Sequence, residues 1–128
     1  MDEKWMNLYN YSMDMLNPHE VSRNMYVGSV AAAILTKKGN IYTGICIDTS
    51  SSLGMCAERN ALSTMLTNNE NNIDKVLSVY KDGKVMPPCG ACREFMMQLG
   101  ADEKNIEILL DNNGKTAKLK DLMPEYPY

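Results

Sequence analysis

The chain has one histidine, one tryptophan and one phenylalanine among its 128 residues, and no apolar run near the ~20 residues that a membrane span requires. A membrane-spanning helix is therefore not expected. It opens Met1-Asp2-Glu3-Lys4, polar and acidic rather than basic then apolar, so no secretory pattern is present and the expected compartment is the cytoplasm. Basic excess is also missing. Thirteen Lys and Arg against 16 Asp and Glu give a net charge of −3, and the lysines are scattered. Nucleic-acid binders draw most of their affinity from neutralising phosphate, so this balance argues against DNA or RNA and for a small, weakly charged substrate. Linkers, repeats and low-complexity tracts are absent too, and residues 1–128 read as one domain. A chain of this size can bury roughly 65–70% of its unfolded surface without disulfide staples. Cysteine is scarce, with four in all. In a reducing compartment, clustered cysteines point to metal binding or catalysis rather than to disulfides.

The hydrophobic pattern places the elements. Trp5, Leu8, Tyr9, Met15 and Leu16 fall near one helical face, which predicts a helix over 3–16, ended by Asn17-Pro18-His19. Val27 to Thr36 and Ile41 to Ile47 read as a hairpin about Lys37-Lys38-Gly39-Asn40. A helix follows from Cys56 to about Thr67, then a strand over 75–80, a helix over 89–99, a strand over 106–110 and a weak strand near 117–119. The order α-β-β-α-β-α-β-β predicts an α/β fold: a mixed five-stranded sheet covered by helices in three layers.

Three cysteines stand at the starts of these helices, in Cys56-Ala57-Glu58 and in Pro88-Cys89-Gly90-Ala91-Cys92, with Pro88 30 positions after Glu58. A helix N-terminus stabilises anions, so thiols placed there ionise more readily, and the thiolate is the form that binds zinc. Cys89 and Cys92 share one side of a helical turn. Three thiolates can hold one Zn²⁺ and leave its fourth position open, as catalytic zinc sites do. Glu58 stands close enough to move protons at that position.

Each residue has a plainer reading. A lone Cys-x-x-Cys also matches redox motifs, but the upstream Cys-Ala-Glu makes the combination specific. Cys46 would close a four-thiolate structural site, yet its place in a strand ten residues upstream is unlike chelating spacing. Glu58 could merely complement the helix dipole, and a non-catalytic zinc domain would follow. His19, in a proline-flanked loop, reads as exposed rather than ligating. Zn²⁺ with three thiolates carries −1 and needs compensation. Arg59 and Arg93 directly follow Glu58 and Cys92, and one or both are expected to donate to cysteine sulfur rather than sit idle at the surface.

Cys56-Ala57-Glu58-Arg59 with Pro88-Cys89-Gly90-Ala91-Cys92-Arg93-Glu94 resembles the cytidine deaminase superfamily, a zinc deaminase signature. Val27-Gly28-Ser29-Val30-Ala31-Ala32 and Asp121-Leu122-Met123-Pro124 extend the likeness over nearly the whole chain. With Cys56 where nucleic-acid deaminases usually carry His, the resemblance is to the short Cys₃-zinc branch of homotetrameric cytidine deaminases and blasticidin S deaminases. It implies one zinc per subunit and a cytoplasmic role in pyrimidine salvage. It also implies a zinc-activated water as nucleophile, Glu58 as proton carrier and ammonia as leaving group. Further, it implies that the Ala57 backbone contacts the base carbonyl, that Tyr26 packs against the base, and that Tyr126 or Tyr128 covers a neighbouring subunit's site.

The departures concern the sugar. The family's Asn-x-Glu, which reads a ribose hydroxyl, becomes Cys46-Ile47-Asp48 if the following loop is one residue shorter. Asp48 keeps a carboxylate; Cys46 cannot replace an amide. Without that deletion the positions become Ile45 and Ile47. A site that pairs a hydroxyl discriminates strongly for it, so weaker use of ordinary cytidine is expected. The readings are a cytidine or deoxycytidine deaminase, or a deaminase of a modified aminopyrimidine, a free base or a nucleoside antibiotic such as blasticidin S.

Overall fold

A computed structural model describes residues 1–128. Helix α1 (Glu3–Met15) is capped by Asp2, whose side chain accepts from the Trp5 N–H at 3.0 Å. Strands β1 (His19–Ser22), β2 (Met25–Thr36) and β3 (Ile41–Thr49) follow, then α2 (Ala57–Thr67), β4 (Ile73–Tyr80), β5 (Val85–Met86), α3 (Gly90–Met97), β6 (Glu107–Leu109) and β7 (Thr116–Lys118).

The sheet has seven strands rather than five. Its long path runs β3-β2-β4-β6-β7, the expected five, and all pairs on it are antiparallel except β4–β6. The two extra strands are short. β1 pairs with the start of β2, and β5 pairs with the end of β4. All four β1 residues are exposed, so no alternation marked them. His19 belongs to this strand rather than to a loop and is exposed as expected.

Alternation along the strands builds the three layers. Ala31, Ala33, Leu77, Val79 and Leu109 meet Trp5 and Leu8 of α1 on one face. Ile34, Val76 and Ile108 meet Leu62, Met65, Met96 and Met97 of α2 and α3 on the other. Gly44 lets α2 lie directly on β3: a Cβ there would stand 2.4 Å from the Ala61 nitrogen and 2.7 Å from the Ala57 oxygen. That close crossing brings the start of α2, and with it Cys56 to Glu58, onto the sheet.

Candidate metal centre and substrate cavity

Cys56 and Cys89 are the N-cap residues of α2 and α3, both with extended backbone, and Cys92 lies in the first turn of α3. The two helix starts converge. Cys56 Sγ and Cys89 Sγ are 3.4 Å apart, Cys89 Sγ and Cys92 Sγ 3.5 Å, and all three sulfurs lie within 4.8 Å of one another. All four cysteines are free thiols. Zinc held by sulfur at about 2.3 Å in tetrahedral geometry sets its sulfurs about 3.8 Å apart, so this donor set fits that ion. Cys46 stands outside the cluster; its Sγ accepts the Val30 N–H at 3.2 Å.

Without a cation the three thiols resist joint ionisation. Burial pushes Cys56 and Cys92 up, with the Glu58 carboxyl adding to the effect at Cys92 and the Arg59 guanidinium opposing it at Cys56. Burial acts against Cys89 too, yet the Cys92 backbone N–H and the neighbouring thiols hold it below the ordinary range. A divalent cation held by Cys56, Cys89 and Cys92 would stabilise the three thiolates together.

Arg59 reaches back one helical turn and donates from Nη2 to Cys56 Sγ at 3.7 Å. Arg93 does not reach sulfur. Its Nε donates to the Pro88 carbonyl at 2.8 Å and its Nη1 to the Leu122 carbonyl at 3.4 Å, because α3 turns residue 93 toward the C-terminal segment. It braces the residue before Cys89 instead of tuning the sulfur.

Beside the thiols opens a cavity of about 810 Å³, lined among others by Cys46, Asp48, Ala57, Glu58, Tyr80 and Met86. Glu58 is 5% exposed, and burial raises its carboxyl above the usual range. Asp48 lines this cavity and also a shallow neighbouring depression. Tyr26 pairs with Asp48 across β2 and β3 but belongs to the depression, outside the cavity wall. Tyr126 also lies away from its own chain's cavity: it donates to Glu94 at 3.1 Å and accepts from Gln98 at 2.9 Å. Tyr128, 85% exposed, meets it edge to face.

Sequence reasoning missed Val30, Ser78, Tyr80 and Met86 in the wall. A register shift in β2 between Val27 and Ala31 brings Val30 there, and Gly28, inside the strand at φ 86°, is the residue that signals such a bulge. Met86 and Pro87 also carry a signal, since they run directly into Pro88-Cys89.

Residues 6–107 match the family model for the cytidine and deoxycytidylate deaminase zinc-binding region. The chain belongs to that family. A blasticidin-S deaminase of Bacillus cereus is 31% identical over 74% of each sequence, and a cytidine deaminase of Halalkalibacterium halodurans is 33% identical over 74% of each. The crystal structure of cytidine deaminase from Mycobacterium tuberculosis superposes with a TM-score of 0.80 at 25% identity, covering 99% of both chains. The deaminase fold and its zinc-binding region thus account for why the thiols meet at two helix starts.

Proposed function

We propose that this chain hydrolyses the exocyclic amine of a free cytosine nucleoside, converting cytidine or deoxycytidine to uridine or deoxyuridine and ammonia. The observation that carries the reading is the meeting of Cys56, Cys89 and Cys92 with buried Glu58 at one wall of a substrate-sized cavity. A zinc ion held by the three thiolates would supply Lewis acidity and acidify water. Glu58, whose carboxyl burial raises above the usual range, is placed to take a proton and to pass it to the ring nitrogen and the departing amine. The Ala57 backbone, at the start of α2, is suited to the base carbonyl.

A free nucleoside fits better than a nucleotide. Arg59 is the one cationic side chain lining the cavity and is engaged with sulfur, while Asp48 and Glu58 are acidic. Phosphate would find no free cation there.

One observation favours a modified aminopyrimidine as a second reading. The Cys46 sulfur, where the family has an amide, is occupied by the Val30 N–H. We infer further a soluble cytoplasmic salvage role and a homotetramer in which Tyr126 or Tyr128 reaches a neighbouring subunit's cavity. No helix is long and apolar enough to cross a membrane.

Ammonia release by the purified zinc form, measured across cytidine, deoxycytidine, cytosine, deoxycytidylate and blasticidin S, tests the reading. The highest kcat/KM on a free nucleoside supports it. A far higher value on blasticidin S replaces it with the second reading, and no release from any of them overturns both. Mass in solution tests the tetramer, which a monomer would contradict.

A further inference from the structure

The segment that carries Met86, Pro87 and Cys89 to the cavity leaves β4 through a turn closed by the Gly83 N–H on the Tyr80 carbonyl and the Tyr80 N–H on the Lys84 carbonyl, both at 2.8 Å. β5 is two residues long, and its ladder to β4 consists of the pairs Ser78–Met86 and Val79–Val85. The Ser78 hydroxyl, in the cavity wall, donates to the Met86 carbonyl at 3.0 Å. At Val85 the N–H turns away from β4, and a side chain meets it where a further strand would otherwise pair. Asn112, in the turn between β6 and β7, accepts that N–H on Oδ1 at 2.9 Å and donates from Nδ2 to the Gly83 carbonyl at 3.0 Å. A planar amide that accepts from one residue and donates to the residue two before it reproduces the pairing of a strand neighbour. The Tyr9 hydroxyl of α1 donates to the same Gly83 carbonyl at 2.9 Å.

Asn112 is not needed to close its own turn. Asp111 does that, its Oδ1 accepting from the N–H groups of Asn113 at 2.9 Å and Lys115 at 3.1 Å, while the Leu110 N–H donates to the Lys115 carbonyl at 2.8 Å. The Asn112 amide is left to act across the chain, and both its bonds go to the segment leading into Pro87-Pro88-Cys89.

We propose that Asn112 is a positioning residue of the deaminase site. Its amide seats residues 83–85, and through β5 it sets the cavity wall at Met86 and Pro87 and the placement of Cys89 among the zinc ligands. The effect on the wall rests on the deaminase reading; the effect on Cys89 rests only on the metal site. Groups hydrogen-bonded directly to metal ligands change metal affinity by about 10–100-fold when removed, and Asn112, which acts on Cys89 through the intervening backbone, should fall at the low end of that range. Val85 is buried, so removing Asn112 leaves its N–H without an acceptor, and a loss of global stability should accompany the loosening of the site.

The test compares wild type, Asn112→Ala, Asn112→Asp and Tyr9→Phe as zinc-loaded proteins. Two site readouts are taken, zinc release to a chromogenic chelator and the KM and kcat for cytidine, alongside Tm. Asn112→Ala should release zinc about tenfold faster and raise KM more than it lowers kcat, with Tm lowered as well because the Val85 N–H is left unpaired. Asn112→Asp, which keeps the acceptor for Val85 but not the donor for Gly83, should fall between. Tyr9→Phe should shift both readouts in the same direction but less. Wild-type zinc release and KM in Asn112→Ala would overturn the proposal, as would a fall in Tm with both site readouts intact. If wild type deaminates nothing, the functional reading fails while zinc release still decides the placement of Cys89.

Discussion

Arg59 Nη2 stands 3.7 Å from Cys56 Sγ, one helical turn along α2. A guanidinium donating to a ligand sulfur draws electron density from it, which keeps a bound zinc more acidic than three unmodified thiolates would. Removing this donor should therefore affect chemistry more than folding. Arg59→Leu is expected to lower kcat by about 10–100-fold with zinc retained, and Arg59→Lys should not restore it, since an ammonium lacks the planar fork. Steady-state kinetics with parallel zinc analysis checks this.

Glu58 carries the proton in the proposed reaction. Glu58→Gln should lower kcat by about 10²–10⁴-fold with zinc content unchanged. Burial raises the Glu58 carboxyl, so ionisation penalises the folded state. Its favourable contribution is complete below the ordinary carboxylate range and is lost as pH rises through the raised folded value. Metal-free Glu58→Gln should thus melt higher than metal-free wild type at neutral pH, and the gap should close under acid conditions. Calorimetry across that range measures it.

Glu70 behaves in the opposite sense, far from the cavity. Tyr42 donates a short hydrogen bond to it, and Thr36 and Asn40 assist, holding its carboxyl below the usual range. This group contributes stability above the ordinary carboxylate range, lost as pH falls through the depressed folded value. Tyr42→Phe should move acid unfolding to higher pH and leave neutral-pH turnover unchanged, as followed by circular dichroism and an activity assay.

The crossing at Gly44 gives a prediction that joins fold to site. A Cβ there meets only backbone of α2, which cannot rotate away. Gly44→Ala should cost about 1–3 kcal/mol or more in urea unfolding and weaken zinc retention, because Cys56 caps the start of α2.

Much of this was legible in the residues. Cys56, Cys89 and Cys92 announced themselves by spacing and by their place at helix starts, and the order of helical and strand segments foretold a mixed sheet covered by helices. Other features depend on contacts between distant parts of the chain. β1 has no buried residue, and β5 has two residues, so neither carries a period. Arg59 and Arg93 look alike beside their motifs, yet only the turn of each helix decides that one meets sulfur and the other meets two carbonyls. Tyr26 neighbours Asp48 in register, but the edge of the cavity falls between their side chains.

The most direct measurement is zinc content together with ammonia release from cytidine, on wild type and Glu58→Gln prepared without added chelator. One zinc per chain is expected in both proteins, with ammonia release slower by about 10²–10⁴-fold in Glu58→Gln than in wild type. Absence of stoichiometric zinc, or equal ammonia release by Glu58→Gln, would contradict the account.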